Sequence, residues 1–344
     1  MGRKLNLLVL VVLLAACGPT SETVVFDGAQ PAIRVYFTAP TAPEASSVRG
    51  GPDEQLAAAI DEARLSVDVA IYNLDLYGIR DALIAAHDRG LNVRMVIEQD
   101  YAEGEAFQKL AAAGISVLFD KNADYMHDKF VVIDRYEVWT GSMNYTVGDV
   151  YWDRNNLVAI KSTRLAQNYE TEFNEMYLGQ SFGASSPADT PYPLLNLNGV
   201  IVENYFAPED RTLDHLVSLV NGAKKSVYFL AFSFTSDELA LAVIAANDRG
   251  LDVRGVLDKG QATSNAGGEY GNLLAAGVDL RQDGEVGNLH DKVLIIDGEI
   301  VVTGSYNFST NAEKRNDENT LVMHDAEIAA KYLVEFELIW SLAE

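Results

Sequence analysis

Beyond residue 30 the chain alternates two hydrophobic patterns. Residues 66–72 and 226–232 are short runs rich in β-branched and aromatic side chains, which predict strands. Residues 77–89 and 237–249 place apolar side chains at helical spacing, and each run stops at a glycine, Gly90 or Gly250, where a helix C-terminus is expected. Residues 92–97 and 252–257 read as strands again. A helix, a strand, a His-containing strand, a turn, another strand and a long last helix follow in each half. This order predicts an α/β chain with a largely buried mixed sheet per half, flanked by helices.

The two halves are copies. Asp88-Arg89-Gly90-Leu91 recurs as Asp248-Arg249-Gly250-Leu251, an offset of 160. Further on the offset becomes 163 and holds: Ala112-Ala113-Gly114 returns as Ala275-Ala276-Gly277, and Tyr169 and Phe173 return as Tyr332 and Phe336. The three extra residues fall between Arg254 and Gly277, in a predicted loop. The period is too long for a solenoid, so the expected architecture is two αβ repeats packed as a pseudo-two-fold dimer within a monomer. The expected boundaries are repeat 1 over 31–180, a linker over 181–198 carrying Pro187, Pro191 and Pro193, and repeat 2 over 199–344.

Chemistry sits in the repeated positions. His127, Lys129 and Asp134 match His290, Lys292 and Asp297. His and Lys two apart on a strand share a face. The next strand ends in Gly141, Ser142 and Asn144, matched by Gly304, Ser305 and Asn307. A glycine there permits close backbone approach, and Ser and Asn supply neutral hydrogen-bonding groups for an anion. Of five histidines, His87, His215 and His324 have no histidine at the equivalent position. Two His, two Lys and two Asn meeting at a seam would make a small anion pocket, with one imidazole as nucleophile and the other as acid/base. Asp134 and Asp297 follow strands and double as turn-formers. Tyr145, Tyr151, Trp152 and Phe308 suit either a substrate mouth or core.

Charge narrows the partner. The 344 residues carry 26 basic against 50 acidic side chains, a formal net charge of −24. A polyanion-coating surface needs rows of Lys and Arg, so extended nucleic-acid binding is not expected, although a small cationic pocket remains compatible. The sole cysteine, Cys17, excludes an intrachain disulfide and a thiolate metal cluster. With few histidines the chain also lacks a zinc-ligand set, so neither metal nor cofactor is expected. Arg3 and Lys4, the apolar run over 5–14, Ala15, Ala16 and Cys17 read as a signal peptide over 1–16. Leu14-Ala15-Ala16-Cys17 resembles a bacterial lipobox. It implies lipidation at Cys17, a tether over 17–30, and an exported, membrane-anchored lipoprotein on the cell surface or periplasmic side.

The duplicated HxKxxxxD pattern with a following GSxN resembles the phospholipase D superfamily over nearly the whole mature chain. The second half is similar to the single-motif bacterial endonuclease of that superfamily, through Phe229-Leu230-Ala231-Phe232-Ser233-Phe234-Thr235 and residues 290–319. The resemblance implies metal-independent phosphodiester exchange through a phosphohistidine. Thirteen residues after Ser305 stands Glu318, whereas thirteen after Ser142 stands Asn155. By resemblance to tyrosyl-DNA phosphodiesterase-like members, Glu318 would orient His127 as nucleophile across the seam. Asn155 would contact His290, the acid/base, and also lie near the bound phosphate. Three functions stay open. One is a phospholipase D acting on phospholipid head groups by hydrolysis or transfer. The others are a secreted nuclease and a catalytically silent scaffold.

Overall fold

A computed structural model describes residues 33–285 and 287–344, which belong to one compact unit. The signal peptide, Cys17 and the tether lie outside the described residues. Half one contains β1 (Ile33–Phe37), β2 (Ser66–Ile71), β3 (Asn92–Glu98), β4 (Ser116–Asp120), β5 (Lys129–Ile133), β6 (Glu137–Gly141) and β7 (Asn156–Lys161). They form a seven-stranded sheet in the order β1-β7-β6-β5-β2-β3-β4. Half two contains β8 (Leu194–Leu197), β9 (Val200–Ala207), β10 (Ser226–Ala231), β11 (Asp252–Leu257), β12 (Asp279–Gln282), β13 (Lys292–Ile296), β14 (Ile300–Gly304) and β15 (Glu318–His324). Its eight strands run β12-β11-β10-β13-β14-β15-β9-β8. In both sheets β2-β3-β4 and β10-β11-β12 pair parallel, joined by helical crossovers, and the hairpin strands pair antiparallel. The mixed, helix-flanked sheets expected from the alternating pattern are therefore present in both halves.

Each half has an outer core on one face of its sheet. A third cluster runs through both halves and joins Phe130, Tyr169 and Phe173 to Phe206, Val293, Tyr332 and Phe336. The long helices Thr163–Tyr177 and Ala326–Leu342 supply much of this shared interior. Their amphipathic faces repeat because the halves repeat.

One expected boundary shifts. Residues 181–198 are not all linker, since Leu194–Leu197 forms the edge strand β8 on β9. The reason is visible in Leu194-Leu195-Asn196-Leu197, where Leu195 and Leu197 are buried and Leu194 and Asn196 exposed. Asn198 and Gly199 then turn the chain with φ of 56° and 97°, the left-handed pair that a two-residue hairpin needs. Among the described residues no helix is long and apolar enough to cross a membrane.

Candidate active site

Backbone pairing brings the two histidine segments to the seam. His127 N–H donates to the Asp317 carbonyl at 3.0 Å, and Asp317 N–H donates to Tyr125 at 3.0 Å. On the mirrored side His290 N–H donates to Arg154 at 2.9 Å, and Arg154 N–H to Asn288 at 2.8 Å. Each histidine is thus set by the segment just before the last strand of the other half.

Side chains repeat the exchange. Asn319 Nδ2 donates to Asp128 at 2.8 Å, while its Oδ1 accepts from Thr140 Oγ1 at 2.6 Å. In mirror image, Asn156 Nδ2 donates to Asp291 at 2.6 Å and its Oδ1 accepts from Thr303 Oγ1 at 2.7 Å. All six side chains are buried, so leaving any one unpaired would carry a desolvation cost. Asp128, Asp291, Asn156, Asn319, Thr140 and Thr303 are not among the site residues expected from the sequence. Their signal was available, because all six recur at the 163 offset beside residues already singled out.

The lysines are anchored and dry. Lys129 Nζ donates to the His127 carbonyl at 2.7 Å and lies 5.1 Å over the Tyr72 ring. Lys292 Nζ donates to the His290 carbonyl at 2.5 Å and lies 5.1 Å over Phe232. Tyr72 and Phe232 also pack edge-on against His127 and His290, at 5.0 and 4.8 Å. Each pair therefore shares one face. Burial brings Lys129 down to about 8 and, with help from Lys129, Lys292 to about 7. Burial, then the lysines, push both imidazoles well below the usual histidine range.

The environments of the histidines differ. His127 Nδ1 meets Glu318 Oε2 at 2.7 Å. That carboxylate also accepts from Ser305 Oγ at 2.6 Å and from Asn316 Nδ2 at 3.1 Å. Burial raises Glu318 to about 7, with Lys129 opposing. His290 Nδ1 meets Asn155 Oδ1 at 2.9 Å. Asn155 Nδ2 donates to the Asp149 carbonyl at 2.9 Å, which turns the amide oxygen toward His290 and makes His290 Nδ1 the donor. Both Nε2 atoms are thereby left for chemistry.

Several sequence expectations need correction. Ser142 and Ser305 are expected at the phosphate, but their hydroxyls donate to Asn155 (2.8 Å) and Glu318. The same oxygens accept from the Asn156 and Asn319 backbone N–H groups, at 3.1 and 3.0 Å. They orient the partners of the histidines, and Asn155 is engaged with His290. Asn144 Nδ2 donates to Asp149 at 3.0 Å, which uses one of its two N–H bonds. Asn307 Oδ1 is buried without a partner. Asp134 and Asp297 lie at the far ends of β5 and β13 from the histidines. Asp134 accepts from the N–H groups of Arg64, Leu65 and Ser66, and Asp297 from those of Lys224, Lys225 and Ser226. They clamp the starts of β2 and β10 and touch nothing reactive. The glycines act as expected: a Cβ on Gly141 or Gly304 would lie 2.3 or 2.1 Å from the carbonyl oxygen of Asn156 or Asn319. Tyr145, Tyr151 and Phe308 are core, and Trp152 is 62% exposed.

Similarity to known proteins agrees with this geometry. The family model for the cardiolipin synthase, PLD-like domain matches residues 56–177 and 216–340, more than two thirds of the chain. A phospholipase D of Rickettsia prowazekii is 32% identical over 161 residues, covering 47% of this chain and 78% of that protein. The mitochondrial cardiolipin hydrolase of Mus musculus is 36% identical over 131 residues, covering 38% of this chain. That match spans only 59% of the mouse protein's length. Among solved structures, phosphatidylserine synthase from Haemophilus influenzae superposes with a TM-score of 0.64 at 15% identity, over 88% of this chain and 84% of that one, a likeness of fold. Nuc from Salmonella typhimurium, a phospholipase D family member, is 33% identical over 42% of this chain and 97% of its own, with a TM-score of 0.40. With two matched domains, two His-Lys pairs and a seam that exchanges their supports, the chain belongs to the phospholipase D-like family of phosphodiesterases.

Proposed function

We propose that the chain cleaves or transfers phospholipid head groups through a covalent phosphohistidine on His127. The observation that carries this reading is the unequal support of the histidines, a carboxylate on His127 Nδ1 and a neutral amide on His290 Nδ1. Glu318 fixes the tautomer that leaves His127 Nε2 unprotonated and stabilises the cation formed on attack. Nε2 of His127 forms a bond to phosphorus as the opposite P–O bond breaks. Lys129 and Lys292 hold the non-bridging oxygens. His290 takes up a proton at Nε2 from solvent as the diester binds, gives that proton to the departing oxygen, and then takes one from water or an acceptor alcohol. That oxygen attacks phosphorus, and the P–N bond breaks to restore His127. The chain's own residues complete this cycle without a metal or cofactor.

A cavity favours a small head group over a polyanion. About 760 Å³ opens beyond the C-terminal ends of β2 and β3, lined by Asp53, Asp75, Asp100, Glu103, Tyr77 and Tyr101. Tyr101 packs on Tyr72 at 5.0 Å, and Tyr72 on His127 at 5.0 Å, so two tyrosine rings link the cavity wall to the nucleophile. Acidic walls with tyrosine faces suit a cationic alcohol and repel a phosphate chain. The lipobox at Cys17 supports the same choice, since a lipid anchor would hold the enzyme at high local concentration beside its substrate. Similarity of the second half to an endonuclease keeps nucleic acid as the competing substrate.

Two measurements test the reading. Wild type and His127→Asn are offered phosphatidylcholine vesicles, phosphatidylglycerol vesicles, single-stranded DNA and a chromogenic diester in chelator. Cleavage of phosphatidylcholine by wild type alone is expected. Cleavage of DNA alone overturns the lipid assignment, and loss of all activity in chelator overturns the metal-free cycle. Acid quench of His290→Asn with labelled substrate should leave phosphate on His127, and label on any other residue overturns the nucleophile assignment.

A further inference from the structure

The amide at Asn155 leaves His290 without the carboxylate that His127 enjoys, but a carboxylate reaches it from elsewhere. Asp149 lies in the short helix Val147–Tyr151, and its Oδ1 stands 3.3 Å from His290 Nδ1. The group is fixed. Oδ1 accepts from Asn144 N–H at 3.1 Å and Asn144 Nδ2 at 3.0 Å, while Oδ2 accepts from Thr146 Oγ1 at 2.7 Å.

Half two has no such group. The 163 offset places Ala312 opposite Asp149, and Ala312 is buried in the half-two core. The neighbouring Glu313 accepts from Tyr306 Oη at 2.9 Å, away from the seam. Half two therefore draws its acid from the start of β15, as Glu318. Half one carries an amide at that position and draws its acid from the short helix before it.

We propose that Asp149 is the positioning residue of the acid/base histidine, supplying from 3.3 Å the negative charge that Asn155 lacks. This rests on the reading of His290 as proton carrier. The charged groups acting on His290 are Lys292 of its own segment, Lys129 and His127 of the other half, and Asp149 at 3.3 Å. Asp291 is bonded to Asn156. Without Asp149, an imidazolium at 290 would face two lysines with no carboxylate on Nδ1, and the proton would be hard to hold. Asp149 also holds up the charge on both lysines, against their burial.

A purely structural role competes with this one. Thr146 Oγ1 caps the helix by accepting from Asp149 N–H at 3.1 Å, and it donates to the Asp149 carboxylate at 2.7 Å. Asp149→Asn separates the two, because it keeps an acceptor oxygen and removes the charge. Asp149→Asn/Asn155→Asp restores a carboxylate at the position that already touches His290 Nδ1.

The first readout is the titration of His290 by NMR of 13C-labelled histidine, assigned by loss of its signal in His290→Asn. Asp149→Asn should lower its midpoint by about one unit or more, and the double variant should recover it. The second readout compares diesters with different leaving groups. Asp149→Asn should slow loss of an alkyl alcohol by at least ~10-fold and loss of p-nitrophenol by less than ~3-fold, since phenolate departs without a proton. An unchanged His290 midpoint, or equal losses on both esters, overturns the proposal. A wild type that cleaves no diester overturns the proposed function instead, and the His290 titration still decides the charge role of Asp149.

Discussion

The two lysines make the site's cationic character conditional on pH. Each donates to one backbone carbonyl and is sealed from water, and burial brings them to about 8 for Lys129 and about 7 for Lys292. Their charged form binds the phosphate oxygens, so deprotonation removes binding. As pH rises through these values kcat/KM should fall, with an apparent pKa of about 7–8, because kcat/KM reports groups of the free enzyme. A plateau held to pH 9 would show that the lysines keep their protons and that burial does not govern them. Residues at this scale were legible in the sequence where duplication marked them. His127, Lys129, His290 and Lys292 stood out as matched pairs, and Glu318 stood out because its counterpart is Asn155. Asp149 was illegible for the opposite reason: its counterpart is alanine, so matching the halves discards it.

Between residue and molecule, the turn that follows β5 and β13 separates structure from chemistry. Asp297 sits at φ 57°, a left-handed conformation that Asp tolerates better than most residues, and gathers three backbone N–H groups at the start of β10. Burial opposes its ionisation, but those donors win and its pKa is lowered. Asp297→Ala should cost about 1–3 kcal/mol of stability, read by urea unfolding, with kcat per folded molecule within about twofold of wild type. A loss of kcat comparable to that of His290→Asn would return Asp297 to the reaction. The shared motif spacing hid this distinction, because a strand carries its two ends to opposite edges of the sheet and spacing alone does not say which end reacts. The β8 hairpin was missed for a related reason. Three prolines coloured the whole 181–198 stretch as linker, while Leu195, Leu197 and Asn198-Gly199 already had hairpin form.

Across the whole molecule, much of the acidity is internal. Burial raises Asp128, Glu209, Glu318 and Glu335 to about 7 and Glu175 to about 9. Glu172, Glu175 and Glu209 approach one another within 4.8 Å. A carboxyl whose folded pKa is raised stabilises fully below its unfolded pKa and loses that contribution as pH rises through the folded value. His127 and His290, lowered on folding, act the other way below their unfolded value. Five carboxyls outweigh two imidazoles, so Tm should climb as pH is lowered from 7 to about 5. A Tm that falls over that window would show these carboxyls ionised in the folded state. The net charge of −24 therefore describes the surface better than the interior.

The crossed supports have a consequence for how such an enzyme divides labour. Each histidine is held by the opposite half, through Glu318 on one side and Asn155 on the other. Two identical subunits arranged this way would have to give both histidines the same partner, and only the arriving substrate could tell them apart. Joining the halves into one polypeptide lifts that obligation. Positions 155 and 318 become free to diverge, and the molecule can settle which imidazole attacks before any substrate is bound. Covalent fusion is thus a device for breaking symmetry, and the amide at 155 is its imprint.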